Sequence, residues 1–129
     1  MSHGEPSLVP RGPGRVLQAL RWSWQGLCVA FRTESSVRLE AYLVPVFVAA
    51  AFVFGEGAVE RALLIGVLLP VLVAELLNSS LENIADHLWP EHNERAGRVK
   101  DIGSAAVFLA MVNVLAVWAI VLWPGVAGP

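Results

Sequence analysis

Glu75, Asn78, Ser79, Glu82 and Asp86 interrupt an otherwise apolar stretch, and Lys100–Asp101 open the next one. On a helix these five polar residues fall within one arc of about 100°, so they form a single stripe running out of an apolar segment. A carboxylate at a bilayer centre costs about 2.5–3.5 kcal/mol, and less nearer the surface, which makes Glu75 a functional candidate. The plainer reading is a packing cluster satisfied across an oligomer interface; five polar residues on one face favour chemistry. Carboxylates suit Mg²⁺ and cations suit phosphate oxygens, so the pattern fits a metal nucleotide. Glu82 and Asp86 have the depth for the metal, and Glu34 could approach the same place. Lys100, Arg98 and Arg15 can meet phosphates. Glu75, set deeper, suits a base that takes a proton from a hydroxyl presented from lipid. The chain has no GxxxxGK[ST] loop, no kinase glycine-rich loop and no zinc motif, which excludes the common soluble kinase designs.

The elements that must position these residues are membrane helices. Of 129 residues, 56% are hydrophobic and 16% charged, with a mean hydropathy of +0.60. A soluble domain of this size has too little interior for so much apolar surface. The net charge of −2 gives no electrostatic case for nucleic acid. A single cysteine, Cys28, cannot build a disulfide framework or a CxxC site. Residues 1–14 are rich in Gly and Pro, lack an apolar core and read as a disordered tail, not a signal peptide. Within them "LVPRG" looks like a protease-site linker.

The remaining residues, 15–129, form one domain. Leu17, Leu20, Trp24, Leu27 and Phe31 repeat at helical spacing, with Arg15, Gln18, Arg21 and Arg32 mostly elsewhere, which predicts an amphipathic interfacial helix over about 15–34. Ala41–Phe54 is uncharged but short for a span. Charge placement decides it. Arginines crowd the chain before Ala41, Arg61 stands alone in the 55–61 connection, and Arg95, Arg98 and Lys100 lie in the 87–101 connection. Basic loops favour the cytoplasm, so the N-terminus and 87–101 share that side and two crossings separate them. The expectation is an all-α membrane protein: a surface helix, then three transmembrane helices at about 37–54, 59–87 and 100–123, with the N-terminus cytoplasmic. Pro45 and Pro70 are expected to kink their helices.

From about Arg15 to Trp123 the chain resembles the small bacterial integral-membrane diacylglycerol kinases. The resemblance rests on "ELLNSSLE" (Glu75–Glu82) and "GRVKDIGSAAV" (Gly97–Val107), supported by "SWQGL" (Ser23–Leu27) and the pair Glu34 and Glu40. It implies a homotrimer of three-helix protomers in the bacterial inner membrane, with active sites shared between subunits. It implies transfer of the γ-phosphate of MgATP to diacylglycerol, giving phosphatidic acid. Residue by residue, it implies Glu75 as general base and Glu34 and Glu82 as Mg²⁺ ligands. Arg15, Trp22, Ser23, Glu34, Glu82, Glu91, Lys100 and Asp101 match nucleotide-binding positions. Arg15, Arg38, Glu40, Glu75, Ser104 and Trp118 match positions near the lipid, and Asn78, Asp86 and Gly97 match supporting ones. Trp22 stands where Tyr is expected, His92–Asn93 where Tyr-His is expected, and His87 where Arg is usual, which bears on the adenine contacts.

Two other functions compete. One is an undecaprenol kinase of the same family; the full surface helix with Glu34 and Glu40 favours diacylglycerol. The other, from a different class, is a non-enzymatic membrane subunit or ion conduit, which has little need of Lys100 beside an acidic cluster. Small residues at Gly103–Ala106 and at Ala58, Ala62 and Gly66 are explained by close helix packing, Asn113 by an interhelical hydrogen bond, and Cys28 as a buried, inert thiol.

Overall fold

A computed structural model describes residues 12–123. Its regular elements are the helices α1 (Pro13–Thr33), α2 (Ser35–Phe54), α3 (Gly57–Gly66), α4 (Leu68–Leu88) and α5 (Glu94–Leu122). Three runs are long and apolar enough to cross a membrane: Ser35–Phe54, Gly57–Leu88 and Glu94–Leu122. The expected tail lies outside the described residues as far as Arg11, while Pro13 and Gly14 already belong to α1. Pro13 suits a first helical position, because its fixed φ is helical and it lacks an N–H that would have no partner there.

Each boundary has a local cause. α1 ends at Glu34, whose extended backbone (φ −104°, ψ 117°) breaks the helix for one residue before α2 begins. The freed carbonyls of Phe31 and Arg32 accept from Arg38 Nη1 at 3.2 and 2.9 Å, supplying the partners a helix end needs. The α2–α3 turn depends on two glycines. A Cβ on Gly55 would sit 2.6 Å from the Ala51 carbonyl oxygen, and Gly57 has φ +86°, where L side chains are strained. Glu60 Oε2 then accepts the Glu56 N–H at 2.6 Å, and the Arg61 guanidinium lies 5.5 Å from the Phe52 ring centre.

The second span, expected as one helix over 59–87, is divided at Val67. Pro70 has no N–H for the Gly66 carbonyl and its ring crowds that turn, so the helix restarts. Pro45, by contrast, stays inside a continuous α2. α5 starts at Glu94, six residues before the expected 100, because Asn93 Oδ1 accepts the Arg95 N–H at 2.8 Å and caps it.

α4 packs most extensively on α5, as an antiparallel hairpin, and α1 packs on α2. The buried apolar set is small: Val37, Ala51, Leu64, Leu68, Ala85, Ala96 and Val107. Far more large apolar side chains are exposed, among them Val53, Ile102 and Leu115, all above 70%. Burying one such side chain is worth about 1.5–3 kcal/mol, and a domain's whole stability is about 5–15 kcal/mol. A surface of this kind needs lipid or other chains over it. Packing of small residues holds only in part. Gly103 is buried, whereas Ala58, Ala62 and Gly66 are exposed and a Cβ on Gly66 would meet nothing within 4 Å. Cys28 is half-buried rather than buried.

Candidate active site

The polar stripe of α4 is graded by depth. Glu75, Asn78 and Ser79 are 7%, 8% and 5% exposed; Glu82 is half-buried and Asp86 exposed. The stripe faces the start of α5, so the two sequence motifs meet. Lys100 Nζ lies 2.5 Å from Asp86 Oδ1. One turn deeper, a Cβ on Gly103 would run into the Asn78 carboxamide oxygen, so any larger residue there would have to displace the Asn78 side chain. Asn78 Nδ2 donates to Glu82 Oε1 at 3.3 Å. The buried oxygens Asn78 Oδ1, Ser79 Oγ and Glu40 Oε2 have no hydrogen-bond partner among the described residues. Unsatisfied polar atoms in such a setting are costly and call for a functional account.

Glu34 joins this group from the α1–α2 break. Its Oε1 accepts from Asn83 Nδ2 of α4 at 3.2 Å. A cleft of about 680 Å³ lies between α1 and α4, lined by Ser23, Glu34, Ser79 and Asn83 among others. A second cavity, of about 410 Å³, is almost wholly apolar and lies between α2, α4 and α5. Glu40 and Trp118 both line it, together with Phe47, Leu72 and Met111. The Trp118 indole stands edge-on to Phe47 at 5.2 Å, and its Nε1 donates to the Leu64 carbonyl at 3.1 Å. That carbonyl lies just ahead of the α3–α4 break, so Trp118 fastens α5 to the discontinuity.

A single chain therefore assembles Glu75, Asn78, Glu82, Asp86 and Lys100, reaches Glu34 through Asn83, and sets Glu40 and Trp118 on one cavity. Other sequence-predicted residues stand apart. Arg15 and Trp22 are exposed on α1, Glu91 is exposed in the α4–α5 connection, and Asp101 and Ser104 are exposed on α5. Ser23 reaches only the α1–α4 cleft. Arg38 caps α1. Among the described residues nothing beyond its own helix backbone and chain neighbours lies within 4 Å of a Cβ on Gly97. Asn83 was not among the predicted residues. It lies about 40° beyond the edge of the stripe, next to Glu82 and four residues after Ser79, and that adjacency is the signal that marks it.

Among the described residues no three His, Cys, Asp or Glu side chains could enclose a metal by themselves. Glu34 and Glu82 nevertheless fit Mg²⁺. Each offers a hard carboxylate with a second oxygen free of hydrogen bonds among the described residues, and Mg²⁺ is typically held by one or two carboxylates plus phosphate oxygens and water.

A family model described as prokaryotic diacylglycerol kinase matches residues 21–122. The chain belongs to that family. The match contains the whole stripe, the facing start of α5 and the Glu34 break. Among the family's curated members, the diacylglycerol kinase of Escherichia coli K12 is 38% identical over 109 residues, covering 84% of this chain and 89% of its own. That of Haemophilus influenzae is 38% identical over 112 residues, covering 87% and 95%. That of Pseudomonas aeruginosa is 38% identical over 111 residues, covering 86% and 90%.

Proposed function

We propose that this family member transfers the γ-phosphate of MgATP to diacylglycerol, releasing ADP and phosphatidic acid, with Glu75 as general base. The observation that carries the reading is the depth gradient on α4: a buried carboxylate, Glu75, seven residues from a more exposed one, Glu82, or about 10 Å along the helix. A reaction between a lipid alcohol and a cytosolic nucleotide needs groups at two depths. The glycerol hydroxyl oxygen attacks the γ-phosphorus, the bond from that phosphorus to the ADP oxygen breaks, and Glu75 takes the hydroxyl proton. Glu34 and Glu82 would hold Mg²⁺, which when bound would supply charge neutralisation for the phosphate oxygens. Lys100, tethered by Asp86 at the mouth of the stripe, is in reach of the same phosphates. The apolar cavity beside Glu40 and Trp118 suits an acyl chain, with Arg38 and Ser104 nearer the headgroup.

Arg15, Trp22, Glu91 and Asp101 stand apart in one protomer, and so many apolar side chains are uncovered that a homotrimer with shared sites accounts for both facts. Diacylglycerol is favoured over undecaprenol because the relatives at 38% identity carry that name. Purified full-length protein in detergent, given MgATP and either lipid, should phosphorylate diacylglycerol at least about tenfold faster than undecaprenol. The reverse preference would move the chain to the polyprenol substrate, and no phosphorylated lipid at all would leave the conduit or subunit reading.

The same scheme puts the N-terminus and the 89–93 connection in the cytoplasm of a bacterial inner-membrane protein. With Cys28 replaced, His92→Cys should be labelled by an impermeant thiol reagent only in inside-out vesicles, and Glu56→Cys only in intact spheroplasts. Labelling of both from one side would reject the topology.

A further inference from the structure

The hydrogen bond between α4 and the α1–α2 break singles out a residue outside the family's motifs. The Asn83 side-chain amide has two hydrogens, and both are used. One goes to the Ser79 carbonyl at 2.7 Å, a bond within α4 that fixes the rotamer. The other crosses 49 positions of sequence to Glu34 Oε1 at 3.2 Å. The amide orientation is unambiguous, because both partners are acceptors and a flipped Asn83 would set its own oxygen against them. Glu34 has little else to hold it. It sits in the one-residue gap between two helices, and the other bond to its carboxylate is a long one, 3.5 Å from Thr33 Oγ1. Asn83 is also the neighbour of Glu82 and lines the α1–α4 cleft with Glu34.

We infer that Asn83 is a positioning residue: it holds the Glu34 carboxylate beside Glu82, so that both can bind one divalent ion. The inference rests on the reading of Glu34 and Glu82 as metal ligands. Such a partner lowers the cost of binding by fixing one oxygen of the ligand and leaving the other free. Loss of an outer partner of this kind typically weakens metal affinity by about 10–100-fold. Asn83 is exposed, so the lower end applies.

The test is Mn²⁺ binding to the full-length protein in detergent, read by electron paramagnetic resonance with a non-hydrolysable ATP analogue present. Wild type, Asn83→Ala, Glu34→Gln and the double variant are compared, with Asn83→Ser run alongside as a milder change and thermal melts on all. Asn83→Ala should bind Mn²⁺ about tenfold more weakly at an unchanged melting temperature, and its Mg²⁺ requirement in turnover should rise while kcat at saturating Mg²⁺ stays within about twofold. In the Glu34→Gln background the same substitution should add nothing, since coupled residues are not additive. Unchanged binding in both Asn83 variants while Glu34→Gln weakens it would overturn the positioning role and leave Glu34 a ligand. Additive losses would overturn it too, by showing that Asn83 acts independently of Glu34. Unchanged binding in Glu34→Gln would instead remove Glu34 from the metal site, and the inference with it.

Discussion

Glu75→Gln is expected to reduce turnover by at least about a hundredfold while nucleotide binding and the melting temperature hold. A positioned base is worth about 10²–10⁴-fold. A primary alcohol is a weak nucleophile at neutral pH, and gains most from a carboxylate that removes its proton as the new bond forms. Gln keeps the shape of Glu75 and loses its basicity. Glu75 is only 7% exposed within the bundle, and at about 10 Å of helix from Glu82 it is too far to share the same ion directly, so metal and nucleotide should still bind. The substitution also removes a charge from within a membrane-spanning helix, where a carboxylate is costly. The variant should therefore melt at or above the wild-type temperature. Activity is measured at saturating lipid and MgATP, beside nucleotide binding and a thermal melt. Retention of more than about a tenth of wild-type turnover would reject the base assignment. Loss of activity together with loss of folding would make Glu75 a structural residue.

Glu82→Gln is expected to weaken divalent-ion binding by at least about a hundredfold and to lower turnover at ordinary Mg²⁺ concentrations. Outer partners alone account for about 10–100-fold, and here a hard anionic ligand itself is lost. The local geometry makes the comparison clean. Asn78 donates to Glu82 Oε1, and a Gln carboxamide still offers an oxygen to that donor, so the α4–α5 contact at Gly103 should persist. What changes is charge. Raising Mg²⁺ should recover part of the activity of Glu82→Gln and none of that of Glu75→Gln. A Mg²⁺ titration of Glu82→Gln that overlays wild type would remove Glu82 from the metal site.

Much of the architecture was legible in the residues because membrane helices obey one-dimensional rules. Long apolar runs must be helical to satisfy their backbone in lipid, so two spans follow from hydropathy, and the third, short at Ala41–Phe54, follows from the placement of Arg and Lys. The stripe from Glu75 to Asp86 was legible for a related reason: the 3.6-residue period alone puts those side chains on one face. The family resemblance rested on the same short motifs, and family membership follows from the match over residues 21–122.

What tertiary structure decided is where elements distant in sequence meet. Periodicity along α4 cannot say which helix faces the stripe. The close approach of Gly103 to the Asn78 side chain, and the Lys100–Asp86 pair, place α5 against it. A proline alone does not say where a helix divides: Pro70 follows the break at Val67, beside the Trp118–Leu64 hydrogen bond, whereas Pro45 leaves α2 unbroken. From sequence, Arg38 was read through the family resemblance as a position near the lipid; the one-residue gap at Glu34 also makes it a cap for α1. Adjacency to the stripe marks Asn83, but its partner was not legible, for the same physical reason. Its significance lies in a hydrogen bond to Glu34 across 49 residues, and no local pattern encodes which distant carboxylate a side-chain amide will reach.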